Sequence, residues 1–178
     1  MWQEACNWNA AGYGVFVCYN EMDGSGYELN GQPIKGESGD KAVNVRTIRA
    51  HCVDLDNLNA MSNLQRAAAF NPAPSFAVQT SPGKAHVYWV CNYSADIDQY
   101  RTLQRKLRQF FEGDKAVIDA TRVLRMPGFL HQKGAPHLVT CYTLPGYGQP
   151  ISRDMLAISL AHVNAIDEGG GRHQLGDE

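Results

Sequence analysis

The sequence lacks any run of apolar residues long enough to cross a membrane, and it lacks the basic-then-apolar start of a secretory signal. These absences predict a cytoplasmic protein with no membrane partner. An excess of positive charge is also missing, because 16 Lys and Arg residues face 18 Asp and Glu residues, giving a net charge of -2. Any contact with nucleic acid must therefore come from a local basic patch.

Paired cysteines are absent too, since no two of the five lie close enough for a CxxC-type zinc motif. An odd, scattered set embedded in apolar runs is typical of buried free thiols in a reducing cytoplasm. We therefore expect no zinc and no disulfide. The cysteines are Cys6, Cys18, Cys52, Cys91 and Cys141.

Hydrophobic periodicity predicts an α+β fold. Between residues 43 and 144 it indicates a strand over 43–56, a helix over 57–70, two strands around the turn SPGK, a helix over 94–113 and a strand over 137–144. This order, β-α-β-β-α-β, is that of a ferredoxin/RRM-like core. It predicts that the strands near 45–56 and 138–144 lie at or beside the sheet centre, with an αβ extension at the N-terminus.

The chain divides into one domain and a tail. We expect residues 1–166, which end in a helix predicted over 152–166, to form the domain. Residues 167–178 are polar and rich in glycine, which is typical of a linker. Such a linker predicts a further domain beyond this segment.

Two carboxylates, Asp54 and Asp56, end the long apolar strand in the stretch RAHCVDLDN. Side chains alternate along a strand, so both point to one face, with Cβ atoms about 7 Å apart. Adjacent carboxylates repel, and a divalent cation with a preference for hard oxygen ligands, Mg²⁺ or Mn²⁺, removes that repulsion. The alternative is that both are solvated residues capping the next helix. A second such pair, Asp96 and Asp98, is predicted to lie in a helix's first turn and is interpreted as structural.

Further charged residues favour the metal interpretation. Asp119 supplies a third carboxylate, and three carboxylates with a group of cations suit a metal-bound polyphosphate. Each cation also has a structural explanation, such as a hydrogen-bonded strand histidine or a solvated helix face. The candidate cations are Lys84 and His86 at the hairpin, Arg122 and Arg125 in TRVLRMPG, and His131 and Lys133 in FLHQKG.

The order of these motifs resembles the archaeo-eukaryotic primase superfamily, most closely its RepB-like and primase-polymerase branches of plasmids and phages. The resemblance covers roughly residues 13–144. The segment TRVLRMPGFLHQKG (121–134) is similar to RLIRxPGSLHxK of archaeal primase small subunits. Asp54 and Asp56 match the first motif, His86 the second and Asp119 the third. One departure is that Lys84 stands where the second motif, Ser-x-His, has serine; the nearest serine is Ser81.

The resemblance implies a palm-like catalytic core and template-directed nucleotidyl transfer in replication, with no zinc module. Asp54, Asp56 and Asp119 are then the catalytic ligands of two Mg²⁺ or Mn²⁺ ions. Implied partners are a single-stranded DNA template, a dNTP or NTP, and a C-terminal helical or helicase domain. The implied nucleotide-binding residues are His86, Lys84, Ser81, Arg122, Arg125, His131, Lys133 and Asn20.

The sequence is also compatible with two other functions. A rolling-circle nickase or relaxase requires a His-x-His pair and a nucleophilic tyrosine, but His86 is followed by Val87 and Tyr88. A non-catalytic RRM-type module stacks bases on aromatic residues of its central strands. Tyr88 and Trp89 are adjacent on one strand and face opposite ways, which argues against such a platform.

Overall fold

The computed structural model describes residues 2–24 and 42–164, and the backbone of 28–29 and 32–33. The predicted tail, 167–178, lies outside these residues. The helices of this part of the chain are α1 (Trp2–Ala10), α2 (Ala60–Ala68), α3 (Ile97–Phe111) and α4 (Arg153–Ser159). Its strands are β1 (Phe16–Cys18), β2 (Glu21–Met22), β3 (Glu28–Leu29), β4 (Gln32–Pro33), β5 (Val45–Leu55), β6 (Phe76–Ser81), β7 (Lys84–Ser94), β8 (Val123–Arg125), β9 (Leu130–His131), β10 (His137–Leu138) and β11 (Thr140–Thr143).

A five-stranded antiparallel sheet forms the centre of the fold, in the order β11-β6-β7-β5-β2. The predicted β6–β7 hairpin is confirmed, with Ser81 opposite Lys84 and Gly83 at a φ of 74° that favours glycine. The long strand β5 pairs with β7 along most of its length. Since β7 lies between β5 and β6, the split β-α-β unit predicted from the sequence is present.

The predicted ferredoxin-like strand order is wrong at one position. That order places the last strand beside β5, whereas β11 pairs with β6 at the far edge of the sheet. The free edge of β5 is occupied by other segments: β2 pairs with its first half, and the Asp114 amide donates to the Asp54 carbonyl 2.8 Å away. With that edge filled, the last strand extends the opposite edge instead.

One face of the sheet carries the main core. Helices α2, α3 and the α4 region pack against it, and side chains of β5 and β7 alternate into it. Trp89, Tyr100 and Phe111 are fully buried there, and the Trp89 and Phe111 rings stack with centroids 5.5 Å apart. Burial of such large aromatic side chains fixes the helices on this face.

The opposite face of the sheet holds a smaller core, and the side chains of Asp54 and His86 lie on this face. Its buried apolar residues are Ala50, Cys52, Val78, Tyr88, Val117, Leu124 and Val139. The segment from Val117 to Val139, which carries β8 and β9, covers part of this face. Residues 50 and 52 of β5 point into this smaller core, so by strand alternation Asp54 points to the same side.

Several predicted boundaries and side-chain roles need correction. Helix α3 begins after the predicted start at residue 94: Asp96 caps it, with Oδ1 accepting from the Gln99 amide 3.0 Å away, and Ser94 ends β7. Asp98 lies in the first turn, as expected. The strand predicted over 137–144 is broken into β10 and β11, and α4 ends at Ser159. Cys141 is exposed, unlike the buried Cys52 and Cys91.

Within the described residues, no helix combines the length and apolar character needed to span a bilayer.

A buried histidine links β5 to the helices. His51 Nδ1 lies 3.0 Å from Gln104 Oε1, and its Nε2 lies 2.6 Å from the Tyr93 hydroxyl. Its ring also stacks on Tyr100 at 4.8 Å. Burial lowers the pKa of His51 from 6.5 to about 4, against the opposing effect of the Gln104 hydrogen bond. The folded protein therefore keeps His51 neutral at a pH where the unfolded chain protonates it.

We expect this histidine to make the protein acid-sensitive. Its contribution to stability is complete above pH 6.5 and is lost as the pH falls from 6.5 through about 4, to a total of roughly 3 kcal/mol. Urea unfolding of the wild type and of His51→Gln across this interval measures the effect. The free energy of unfolding should fall less steeply with acid in the variant, which has no titrating group there. If the free energy of unfolding fell equally steeply with pH in both proteins, His51 would not be the source of the acid sensitivity.

Candidate active site

Asp54 and His86 face each other across β5 and β7. They are directly opposed in the strand register, and His86 Nε2 lies 3.6 Å from Asp54 Oδ2. The His86 side chain is 6% exposed and that of Asp54 is 19% exposed. The carboxylate thus lies at the edge of the smaller core, where charge is screened less than on an open surface.

Asp56 lies on the same side of the sheet as Asp54. Its Oδ2 is 3.8 Å from Lys84 Nζ, and Lys84 precedes His86 by two residues on β7. Both members of this pair are about half exposed, so the pair contributes little to stability. Its importance is geometric: both aspartates share one face, as the strand pattern predicts.

A third group, Arg125, comes to this face from β8. The strand pairs with β1 so that Arg125 is opposite Phe16, and its guanidinium carbon lies 4.8 Å from the Phe16 ring centroid. Partial burial lowers the pKa of Arg125, and the negative charge of Asp54 opposes that shift. Arg125 is therefore within electrostatic reach of Asp54.

His131 and Lys133 follow Arg125 along the same covering segment. The His131 Nδ1–H donates to the Thr80 carbonyl of β6 at 2.9 Å, and its Nε2 is buried with no hydrogen-bond partner. Lys133 is exposed. It lines an open groove of about 270 Å³ together with Gly12, Gly14, Phe16, Arg125 and Gln132. The groove is therefore positively charged at Arg125 and Lys133.

Tyr88, which the sequence suggested only as an aromatic residue, supports His86. Its hydroxyl lies 3.5 Å from His86 Nδ1. Burial raises the pKa of Tyr88 well above its ordinary value, so the hydroxyl keeps its proton. A protonated hydroxyl can donate to Nδ1, which leaves the imidazole proton on Nε2, the nitrogen directed at Asp54.

Asp119 is not brought to the two strand aspartates in this structure. Its Oδ1 lies 3.4 Å from an Arg101 guanidinium nitrogen on α3, and its side chain is 53% exposed. Across the residues that the structure describes, no three His, Cys, Asp or Glu side chains form a group able to hold a metal ion. Arg122 is also exposed, and its amide donates to the Asp119 carbonyl.

Two other candidates have different surroundings. Asn20 is buried, and its amide holds three backbone groups: it donates to the Ala120 carbonyl and accepts from the Arg49 and Ala50 amides. That places the side chain in a structural link between β5 and the 117–120 segment. Ser81 is half-buried at the end of β6, where it pairs with Lys84.

Sequence reasoning missed the contribution of α1. Asn9 is buried, and its side chain donates to the Leu130 carbonyl and accepts from the Leu130 amide, both at 2.8 Å. Gln132 donates to the Asn9 carbonyl at 2.7 Å. These contacts span more than 120 residues of sequence, and no local pattern indicates them.

The curved antiparallel sheet, with paired aspartates opposite a strand histidine, has the fold of the catalytic domains of archaeo-eukaryotic primases. The chain belongs to the RepB primase family: a family model described as the RepB DNA-primase N-terminal domain matches residues 35–146. The recognition of a RepB-like primase from the sequence is thus confirmed.

Solved structures share the fold at low sequence identity. The AEP domain of the cyanophage S-2L primase-polymerase has a TM-score of 0.68 and 18% identity, over 90% of this chain and 77% of that one. Primase RepB′ has a TM-score of 0.59 and 18% identity, over 88% of this chain and 46% of that one, so this chain spans about half of that protein's length. The catalytic domain of RepB′ in complex with initiator DNA has a TM-score of 0.56 and 19% identity, over 89% of this chain and 72% of that one. No curated protein matches the sequence.

Proposed function

We propose that the chain is the catalytic domain of a template-directed nucleotidyltransferase, a DNA primase or primase-polymerase that makes or extends primers on single-stranded DNA. Its setting would be the replication of a phage, plasmid or other mobile element. One observation carries the proposal: Asp54, His86 and Arg125, from three different strands, converge on one face of the sheet. A carboxylate beside cationic donors suits a metal-bound triphosphate. One protein that shares this fold is a cyanophage primase-polymerase, and another, the catalytic domain of primase RepB′, was solved in complex with initiator DNA.

The donor set fits hard divalent cations. Asp54 and Asp56 present carboxylate oxygens on one face, and Mg²⁺ and Mn²⁺ prefer such ligands. When bound, two such ions supply activation of the attacking 3′-hydroxyl and stabilisation of the leaving pyrophosphate. We propose Asp119 as the third ligand. Its exposed pair with Arg101 is worth about 1 kcal/mol or less, so that contact is a small obstacle to its recruitment.

The cations bind the incoming triphosphate in this proposal. With its proton on Nε2, His86 can donate a hydrogen bond to a phosphate oxygen beside Asp54. Arg125 can offer two parallel N–H donors. The Nδ1–H of His131 is engaged by the Thr80 carbonyl, so the unpartnered Nε2 donates to a phosphate oxygen only in the imidazolium form of this residue. Lys133, Arg122 and Lys84 are exposed and add positive charge at the rim, with Ser81 at the end of the hairpin. These groups offset negative charge that develops during transfer.

We further propose that residues 1–166 form the catalytic domain and that the glycine-rich segment 167–178 joins it to a further domain, helical or of helicase type. The nucleotide is a dNTP or NTP, no zinc takes part, and the protein acts in the cytoplasm. Of the alternatives, the RRM-type module is disfavoured because Tyr88 and Trp89 are 4% and 0% exposed. Buried rings cannot stack on bases. The nickase still lacks its His-x-His pair.

The test is synthesis on a single-stranded DNA template with nucleotides and Mg²⁺ or Mn²⁺. We expect labelled products to accumulate with either ion and to disappear when EDTA is added, because Asp54 and Asp56 cannot organise the reaction alone. A primed and an unprimed template separate extension from initiation. Binding of DNA that ignores EDTA, without incorporation of nucleotide on either template, would refute the enzyme and favour the RRM-type module.

A further inference from the structure

Three large aromatic side chains are exposed next to the positive groove. Trp8, at the end of α1, is 53% exposed, Tyr13 is 59% exposed and Phe16 is 49% exposed. The Trp8 and Tyr13 rings meet edge to face with centroids 5.1 Å apart. We call these three residues the aromatic surface. Single exposed apolar residues are ordinary, but a contiguous group of them typically marks an interaction site.

The aromatic surface is held rigidly. Asn9, adjacent to Trp8, bonds twice to the Leu130 backbone, and its side chain also donates to the Tyr13 carbonyl at 2.8 Å. The Tyr13 amide donates to the Trp8 carbonyl at 3.0 Å. Stacking on a fixed ring costs less conformational entropy than stacking on a mobile one.

The aromatic surface and the groove are continuous. Gly12 and Gly14, on either side of Tyr13, line the groove, and so does Phe16 itself. A Cβ on Gly14 would lie 2.8 Å from the Phe16 ring and 3.2 Å from Arg125, so a side chain there would press on both residues. Lys133 lines the same groove. Flat apolar rings therefore adjoin positive charge.

We propose that the aromatic surface stacks on bases of single-stranded DNA whose backbone enters the groove at Lys133. The pairing of aromatic rings with a cationic groove is the chemistry by which proteins bind single strands without reading sequence. The positive groove complements the phosphate backbone of a single strand, and the flat rings complement the faces of its bases. This inference rests on the proposed function and deepens it, because it places the strand next to Arg125, whose charge interacts with that of Asp54.

The experiment is binding of a short fluorescein-labelled oligothymidylate to the full chain, followed by fluorescence anisotropy in EDTA without nucleotide. Trp8→Ala with Tyr13→Ala should weaken binding about tenfold or more, and Trp8→Phe with Tyr13→Phe should restore most of it. Tyr147→Ala, which removes a 64% exposed aromatic residue outside the surface, is the matched control and should bind as the wild type does. Thermal unfolding confirms that each variant is folded.

Two further readouts distinguish stacking from charge. The double alanine variant should keep the wild-type slope of log affinity against log salt, whereas Lys133→Ala should reduce that slope by about one. An abasic strand, which has no bases to stack, should bind the wild type and the double variant equally. Equal losses on abasic and base-bearing strands, or no loss on either, would overturn the proposal.

Intrinsic fluorescence gives an independent measurement if the double variant folds poorly. Trp89 is fully buried, but Trp2 is 59% exposed, so the measurement is made in a Trp2→Phe background, where quenching by DNA should come mainly from Trp8. Trp8→Phe should abolish most of the quenching; quenching that persists counts against the proposal. Since no nucleotide is present, stacking can hold even if the chain never polymerises. Conversely, if the chain incorporated nucleotides but bound DNA equally well without Trp8 and Tyr13, only the stacking proposal would be refuted.

Discussion

Replacing Asp54 with asparagine should lower the rate of nucleotide incorporation by at least about a thousandfold. The amide has the same size, so the strand and its register with His86 are kept. What is lost is the negative charge that faces His86 and Arg125 and that a divalent cation requires. Single-turnover incorporation on a primed single-stranded template, at saturating nucleotide and metal, measures the effect on the chemical step.

The second DxD pair of the sequence provides the matched control. Asp98 is an exposed residue in the first turn of α3, where its charge interacts with the helix dipole. Asp98→Asn makes the same chemical change and should leave incorporation at the wild-type rate, with a loss of stability of about 0.5 kcal/mol. If Asp54→Asn retained more than roughly a tenth of the wild-type rate, Asp54 would not be a metal ligand and the proposed site would be wrong.

The local geometry of the site follows from strand periodicity. Alternation along β5 places Asp54 and Asp56 on one face, and the short SPGK turn fixes the pairing of β6 with β7, where Ser81 lies opposite Lys84. Both features could be predicted, because alternation and a tight turn leave little freedom. The register of β7 against β5, which places His86 opposite Asp54, joins strands that no tight turn connects, so that turn does not determine it.

Contacts between distant segments could not be predicted in the same way. The position of β11 depends on which sheet edge is already occupied, and nothing in its own four residues encodes that. The resemblance implied nucleotide binding for Asn20, yet its side-chain amide holds three backbone groups from other segments. The pairing of Asp119 with Arg101 likewise depends on where α3 packs. Each is decided by tertiary contacts that local patterns do not contain.

Arg125 shows how a motif residue acquires a specific environment only in the fold. The PG-containing segment marked it as a cation, but not that it would lie over Phe16 and within reach of Asp54. A guanidinium fixed on a ring is pre-organised, so little side-chain entropy is lost when it binds phosphate. The structure thus makes Arg125 the cation for which substitution should have the largest effect.

Arg125→Ala should reduce kcat/KM for the nucleotide by roughly 100- to 1,000-fold. Arg125→Lys keeps the charge but loses the paired donors and the stacking geometry, so it should recover only part of the loss. Kinetics at varied nucleotide concentration separate the effects: a loss confined to KM indicates binding of the ground state, and a loss in kcat indicates contact with the charge that develops during transfer.

Arg153 offers the matched control for this substitution. It also lies near an aromatic ring, 5.9 Å from Tyr93, but on α4 against the helical face of the sheet. Arg153→Ala should therefore leave kcat/KM unchanged. If Arg125→Ala and Arg153→Ala changed kcat/KM to the same extent, the position of Arg125 near Asp54 would make no contribution to catalysis. A selective loss in Arg125→Ala, partly recovered by lysine, would tie the triphosphate to the face of the sheet that carries the two aspartates.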